Sequence, residues 1–391
     1  MSDTIEIQGY CDARFMNVKE IFAENFKQGL DVGASLAVTL EGKFVIDLWA
    51  GYADAAKTRP WEQDTIVNVF STTKVMTTIC TLMLVDRGLL DLDAPVAKYW
   101  PEFAQNGKEN LPVRYLLSHT AGLAGWNDKF PIEGLYDWDL CITKLAAQKP
   151  WWKPGTKSGY HAVTFGYLLG ELVRRITNKS IGTFFRDEVA KPLNADFHIG
   201  LSEEHDSRVA DLIPAELPLV FKILGSRIFR KLLFFNMSIK TLTKPDLLQI
   251  VDETRTRAWR AAEIPAANGH GNARSIARVG AALACGGELD GVKLLSPATI
   301  ERALEEQSYC KDAVLRTPVR FGLGFGLPCK EIPFPHPRTL YWGGYGGSLA
   351  MIDLDAKMSA AFAMNKMSAQ ILLDTRKVRF IDALAEAYKA L

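Results

Sequence analysis

Between Val75 and Val85 the chain carries apolar side chains on almost every face of a helix: Val75, Met76, Ile79, Cys80, Leu82, Met83, Leu84 and Val85. A helix of that pattern has no face to offer to water, so it belongs at the centre of a fold. Ser71 stands at its start. Gly88 follows its end, a residue suited to the left-handed position that closes a helix. The spacing predicts a helix over 71–87, with the other elements packed around it.

The mouth of that helix carries chemistry. Ser71 and Lys74 fall on one face, one turn apart. Free backbone N–H groups and the positive end of the helix dipole lie beside the Ser71 hydroxyl. A lysine at the mouth of a buried helix is paired, desolvated or functional, because lone buried charge is costly. A desolvated amine has a lowered pKa and can take a proton from a serine. This is the layout of an activated nucleophile. The same S-x-x-K spacing recurs at Ser308 and Lys311, in a polar run from Glu305 to Asp312 that is expected to be solvated surface.

Strand patterns sit at the two ends of the chain. Ala34 to Leu40 and Phe44 to Trp49 flank the turn Glu41-Gly42-Lys43, after a helical pattern over 15–30. Near the C-terminus, strands are expected over 321–327, 339–344, 348–353 and 358–364, with a closing amphipathic helix over 371–391. The stretch 90–260 shows little alternation and reads as mostly helical, with clear helices over 164–177 and 181–190. A further helix over 273–285 ends at Gly286-Gly287, and Ser296-Pro297 caps another that runs to about 307. The expected architecture is α/β (α+β), an antiparallel sheet flanked by helices. Residues 1–90 and 265–391 form the sheet domain from both termini; 91–264 form an inserted helical domain. Ser71 then falls near the junction, where clefts form.

Composition excludes several functions. The 391 residues are 48% hydrophobic and 23% charged with a net charge of +1, so neither nucleic acid nor an anionic membrane is favoured as a partner. The six cysteines are scattered, and none stands at metal-ligand spacing. Cys80 and Cys285 read as small core residues. The acidic opening Met1-Ser2-Asp3-Thr4-Ile5-Glu6 lacks the apolar core of a signal peptide, so a cytoplasmic protein with reduced thiols is expected. The apolar stretch 217–237 is interrupted by Lys222, Arg227, Arg230 and Lys231 and is no membrane span. A lid, a dimer or membrane-surface contact and a core helix all fit its basic-apolar mix.

Two further elements bear on Ser71. Tyr160 follows the turn Pro154-Gly155 and precedes the helix at Thr164, and a phenol held near Lys74 is expected to ionise more easily and shuttle protons. His161 beside it is a candidate cleft residue. Four glycines lie within Leu340-Tyr341-Trp342-Gly343-Gly344-Tyr345-Gly346-Gly347-Ser348, which marks close backbone approach. An N–H from that strand edge, at Tyr345, and the N–H of Ser71 are the expected oxyanion donors. No G-x-S-x-G, P-loop, H-E-x-x-H or G-x-G-x-x-G occurs. His119 is read as structural.

In this order, Ser71-x-x-Lys74, Tyr160 and Trp342-Gly343-Gly344 resemble the three motifs of the serine β-lactamase and penicillin-binding protein superfamily. Leu117-Ser118-His119-Thr120-Ala121-Gly122-Leu123 looks like another of its segments. The nearest form is the family VIII carboxylesterases, which have a class C β-lactamase-like fold and often show W-G-G at the third motif. The likeness runs from about residue 15 to 370 and extends to Tyr160-His161-Ala162 and 267–275. Two positions depart from the lactamase pattern. Ala162 stands where an asparagine is usual, and Trp342 replaces a lysine that binds the substrate carboxylate. An indole cannot pair with a carboxylate, so the resemblance implies a neutral ester as substrate.

It further implies Ser71 as nucleophile and Lys74 with Tyr160 as proton relay, Tyr160 being the base for water in the second step. Tyr345, Trp342, Gly343, Gly344, His161 and Trp126 are the implied oxyanion and substrate-binding residues. No metal or other cofactor is expected. The other readings are a β-lactamase, a D-amino-acid peptidase or amidase, an acyltransferase, and a catalytically silent binding or scaffold protein.

Overall fold

The computed structural model describes residues 5–215, 237–245, 250–370 and 374–389. Turn chemistry starts the fold. Glu41 and Gly42 both have positive φ, the mark of a two-residue hairpin turn whose twist suits its strands. It joins β2 (Gly33–Leu40) to β3 (Lys43–Gly51), and β1 (Gln8–Cys11) adds to the outer edge of β3. After α1 (Met16–Lys27) and this hairpin come β4 (Val67–Asn68) and the central helix α2 (Thr73–Asp86).

The middle of the chain is helical: α3 (Arg114–Leu117), α4 (Trp138–Ala147), α5 (Thr164–Thr177), α6 (Ile181–Phe185), α7 (Met237–Leu242), α8 (Ile250–Glu253) and α9 (Arg257–Ala261). Strand β5 (Phe197–His198) lies among them and pairs with β6 (His270–Gly271), which also pairs with β4. Then come α10 (Ala273–Ala284), the small hairpin β7 (Glu288–Leu289) and β8 (Val292–Lys293), and α11 (Pro297–Ala303). The last part holds β9 (Ser308–Lys311), β10 (Pro318–Phe321), β11 (Gly326–Leu327), β12 (Thr339–Gly343), β13 (Leu349–Asp353), β14 (Met358–Met364) and α12 (Thr375–Lys389).

Both ends of the chain build one nine-stranded antiparallel sheet, in the order β1-β3-β2-β14-β13-β12-β11-β10-β9. The join is β14 on β2, in register from Met358–Leu40 to Met364–Ala34. Alternation assigns the two faces. Ser359 and Ile352 meet Gly280 of α10 on one. Leu36 and Phe362 meet Phe22 of α1 and Phe380 of α12 on the other. The central strands β2, β13 and β14 are buried on both faces, and β14 has seven buried residues in a row.

The apolar helix is central as its pattern requires: Thr73 to Leu84 of α2 are all buried. Its first turn is a tighter 3₁₀ turn, Phe70–Thr72, so the helix proper begins at Thr73 rather than at Ser71. Several other boundaries shift for local reasons. The strand expected over 321–327 is two strands, broken by a turn at Gly322–Gly324. The helix expected over 181–190 relaxes into one wider π turn after Phe185. Strand β1 carries no hydrophobic alternation and was missed, because three of its four residues are exposed. Cys285 is not core; it caps α10 and is half-exposed. Segment 217–237 lies outside the described residues except for Met237, which opens α7.

Candidate active site

The entry to α2 is strained and over-determined. Phe70 has φ 43°, a left-handed conformation that a β-carbon resists. Such a residue persists only when its surroundings hold it. Here Val69 N–H donates to Gly269 O at 2.9 Å, Thr73 Oγ1 donates to Phe70 O at 2.5 Å, and Gly269 N–H donates to Thr73 Oγ1 at 2.9 Å. Ser348 Oγ donates to Val69 O at 2.8 Å and lies 2.9 Å from Thr72 Oγ1. These bonds fix where Ser71 points.

Ser71 Oγ lies 3.0 Å from Lys74 Nζ and receives the Tyr160 hydroxyl at 2.6 Å. Lys74 is 1% exposed. Its Nζ also donates to Ala162 O at 2.7 Å and to Ala266 O at 2.9 Å. Burial pushes its pKa well below the ordinary lysine value. A neutral amine has two N–H donors and one lone pair. The two carbonyls take both donors, so the lone pair is left for the Ser71 hydroxyl proton. Tyr160 completes the line. Its Oη receives the indole N–H of Trp342 at 3.2 Å and passes its own O–H to Ser71.

Burial pushes the Tyr160 phenol up, out of reach of ionisation near neutral pH. This reverses the expectation that Tyr160 ionises readily beside Lys74. The reason is burial, which disfavours the phenolate more than the hydrogen bonds with Ser71 and Trp342 favour it. The two shifts favour the uncharged form of both groups, a neutral amine at Lys74 and a neutral phenol at Tyr160.

Asp312 holds Tyr160 in place. Its carboxylate receives Tyr160 N–H at 3.0 Å, Ser158 Oγ at 2.8 Å, and the N–H groups of Val314 and Leu315 at 2.8 Å each. His119 packs its ring against Tyr160 (5.0 Å) and Phe321 (4.8 Å), and its Nδ1 receives His161 N–H at 3.1 Å. These contacts set the His119 ring as a brace beside Tyr160.

The turn from β12 to β13 closes the other side. Its bonds run from Gly344 N–H to Ser348 O and from Gly347 N–H to Gly344 O, and Tyr345 N–H enters neither. The Tyr345 ring lies 5.5 Å from that of Phe70, the residue before the nucleophile, at a tilt of 59°. Gly344 has no alternative here, since a β-carbon on it would lie 2.1 Å from Val69 O. Buried Arg376 donates to Gly346 O at 2.7 Å and pairs with Asp31 and Asp374 at 2.6 Å each, which ties the turn to α12.

Ser71, Lys74, Tyr160 and Trp342 thus meet, with Gly343, Gly344 and Tyr345 on the adjoining turn. Two expected residues do not join them. His161 is fully buried, with Nδ1 on Gly159 O at 2.7 Å and Nε2 receiving Leu123 N–H at 3.1 Å. Both ring nitrogens are occupied, so it braces a loop and lines no cleft. Trp126 is 1% exposed, donates to Cys141 O and packs on Phe130 and Tyr167 in the helical core.

Sequence reasoning missed Ala162 and Ala266, because a carbonyl that receives an amine leaves no trace in side-chain type. It also missed Asp312. That residue ends the polar run expected to be solvated, yet it is fully buried. The second S-x-x-K has no function of this kind. Ser308 and Lys311 lie in edge strand β9, where a spacing of three puts side chains on opposite faces.

Comparison with known proteins agrees with this geometry. The family model described as Beta-lactamase matches residues 22–381. The esterase/β-lactamase LipL of Mycobacterium tuberculosis is 36% identical over 371 residues, spanning 93% of this chain and 84% of its own. A crystal structure of a family VIII carboxylesterase superposes with a TM-score of 0.89 at 42% identity, covering 99% of this chain and 100% of that one. A penicillin-binding protein homologue from Caulobacter crescentus does so with a TM-score of 0.87 at 37% identity, covering 98% and 100%.

Proposed function

The chain belongs to the β-lactamase family, and on that premise we propose that it is a serine carboxylesterase acting on small-molecule esters. One observation carries the reading. The Ser71 hydroxyl sits between a desolvated amine and a neutral phenol that is held by the Trp342 indole.

Ser71 Oγ attacks the ester carbonyl carbon while its proton moves to the Lys74 lone pair. The N–H groups of Ser71 and Tyr345 stabilise the oxyanion, worth about 3 kcal/mol per donor. Collapse breaks the carbon–oxygen bond to the alcohol, which leaves with a proton supplied through Lys74 and Tyr160. Water then attacks the acyl-enzyme. Lys74 takes the water proton and returns one to Ser71 Oγ, with Tyr160 donating throughout. The indole at Trp342 stands where a cation would pair with an anionic substrate, and an indole cannot do so, which favours neutral esters.

The proposal places the active site where the two-ended sheet region (1–90 and 265–391) meets the helical region (91–264). It also places the protein in the cytoplasm, which the six unpaired cysteines fit. Among the described residues no helix is long and apolar enough to cross a membrane.

The test is a panel of p-nitrophenyl esters from short to long chains, with nitrocefin alongside. Esters are expected to be turned over faster than the lactam, and Ser71→Ala is expected to abolish both activities. Full ester turnover by Ser71→Ala would remove Ser71 from the mechanism.

A further inference from the structure

On the face of the sheet turned away from Ser71, β12 backs onto α12 around a cavity of about 270 Å³. Tyr341 and Gly343 alternate with Trp342 along the strand, so they point opposite to the indole that reaches Tyr160. Gly343 matters here. A β-carbon on it would lie 3.0 Å from Lys377 Nζ, so its missing side chain is what admits a lysine amine against the strand. Leu349, which pairs with Gly343, lines the cavity together with Ile332, Phe334 and Ile381.

One polar group that reaches this cavity is unused. Lys377 is 5% exposed and makes no hydrogen bond or ion pair among the described residues. The Tyr341 ring lines the cavity as well, while its hydroxyl is buried away from it without a partner. Buried polar groups are rarely left in this state. The charges nearby are committed or outside. Asp374 pairs with Arg376, Glu331 receives the Tyr309 hydroxyl at 2.7 Å, and Asp382 is exposed at the rim. Burial holds the Lys377 amine down to about 8, and an anion beside it would favour the charged form.

We propose that this cavity binds a monocarboxylate with a short hydrocarbon tail, its head taken by Lys377 Nζ and its tail by Ile332, Phe334, Leu349 and Ile381. The unused amine donates, so it calls for an acceptor and favours a negative one. The walls are apolar, and the volume lies just below the roughly 300–1,000 Å³ usual for small-molecule pockets, which limits the tail. Glu331 and Asp382 at the mouth disfavour a second negative charge, which selects against a dicarboxylate. Trp342 and Gly343 of β12 border it as well, but binding on this face of the strand does not depend on the esterase reading.

The test is calorimetric titration of sodium octanoate into full-length Ser71→Ala protein, in which binding cannot be confused with turnover. One saturable site is expected. Adding Lys377→Met is expected to weaken binding about tenfold or more, and octan-1-ol, with the same tail and no charge, is expected to bind at least about tenfold more weakly. Ile381→Phe fills the tail space without touching the amine and is expected to weaken octanoate binding about tenfold or more in a protein that folds normally. No saturable binding, or unchanged affinity in either variant, would overturn the proposal. If Lys377→Met fails to fold, the Ile381→Phe and octan-1-ol results decide.

Discussion

At the scale of the residue, Lys74 is a buried amine at the centre of the site, where a lone charge is costly. Its amine is buried and held below its ordinary value of 10.5. Between that value and its folded pKa, the unfolded chain binds a proton that the folded protein does not. Stability therefore falls as pH falls through this window. Lys74→Met removes this dependence along with the base. The variant is expected to lose ester hydrolysis. Its stability relative to the parent is expected to improve as pH is lowered from about 10 to 7, by at most roughly 1.4 kcal/mol per pH unit. Denaturant midpoints at the two pH values measure this. A difference independent of pH would mean that Lys74 is charged in the folded protein and is not the base.

At the scale of the element, the β12–β13 turn is placed by groups far from it in sequence. Arg376 on α12 reaches Gly346 O and neutralises Asp31 and Asp374, all of them buried. Arg376→Met leaves two buried carboxylates unpaired and is expected to destabilise by about 3–5 kcal/mol. The remaining folded protein is expected to show reduced kcat, because the turn that carries Tyr345 N–H loses its anchor. Urea denaturation and steady-state kinetics check the two parts.

This is also the scale at which the sequence was most and least legible. Helix α5 and strand β14 have the bounds that periodicity predicts, and the all-round apolar run of α2 announces its central place. Ser71, Lys74 and Tyr160 could be named because each needs a particular side chain at a particular place. The carbonyls of Ala162 and Ala266, the brace at Asp312 and the anchor at Arg376 could not. Their roles depend on tertiary contacts that span 30 residues or more, from Arg376 on Gly346 to Lys74 on Ala266, which no local pattern encodes. His161 failed for the same reason: adjacency to Tyr160 in sequence says nothing about which way its ring turns.

At the scale of the whole molecule, three buried histidines set the response to acid. Burial pushes His161 and His270 down to about 3 and His119 well below its ordinary 6.5. Below about pH 6.5 the unfolded chain takes up protons that the folded one refuses. Stability is present above that pH and is lost as pH falls towards about 3, by about 1 kcal/mol per histidine per pH unit. His270 has no partner on either ring nitrogen among the described residues. His270→Leu is therefore expected to flatten the slope between pH 6 and 4 by about 1 kcal/mol per unit. A slope unchanged by that substitution would show that His270 takes up its proton in the folded state.

The central claim is that Ser71 becomes acylated. It is tested most directly by treating the protein with a fluorophosphonate ester and mapping the adduct by peptide mass spectrometry. The account predicts one adduct, on Ser71, formed by the parent and absent from Ser71→Ala. An adduct on another residue, or labelling that persists in Ser71→Ala, would contradict it.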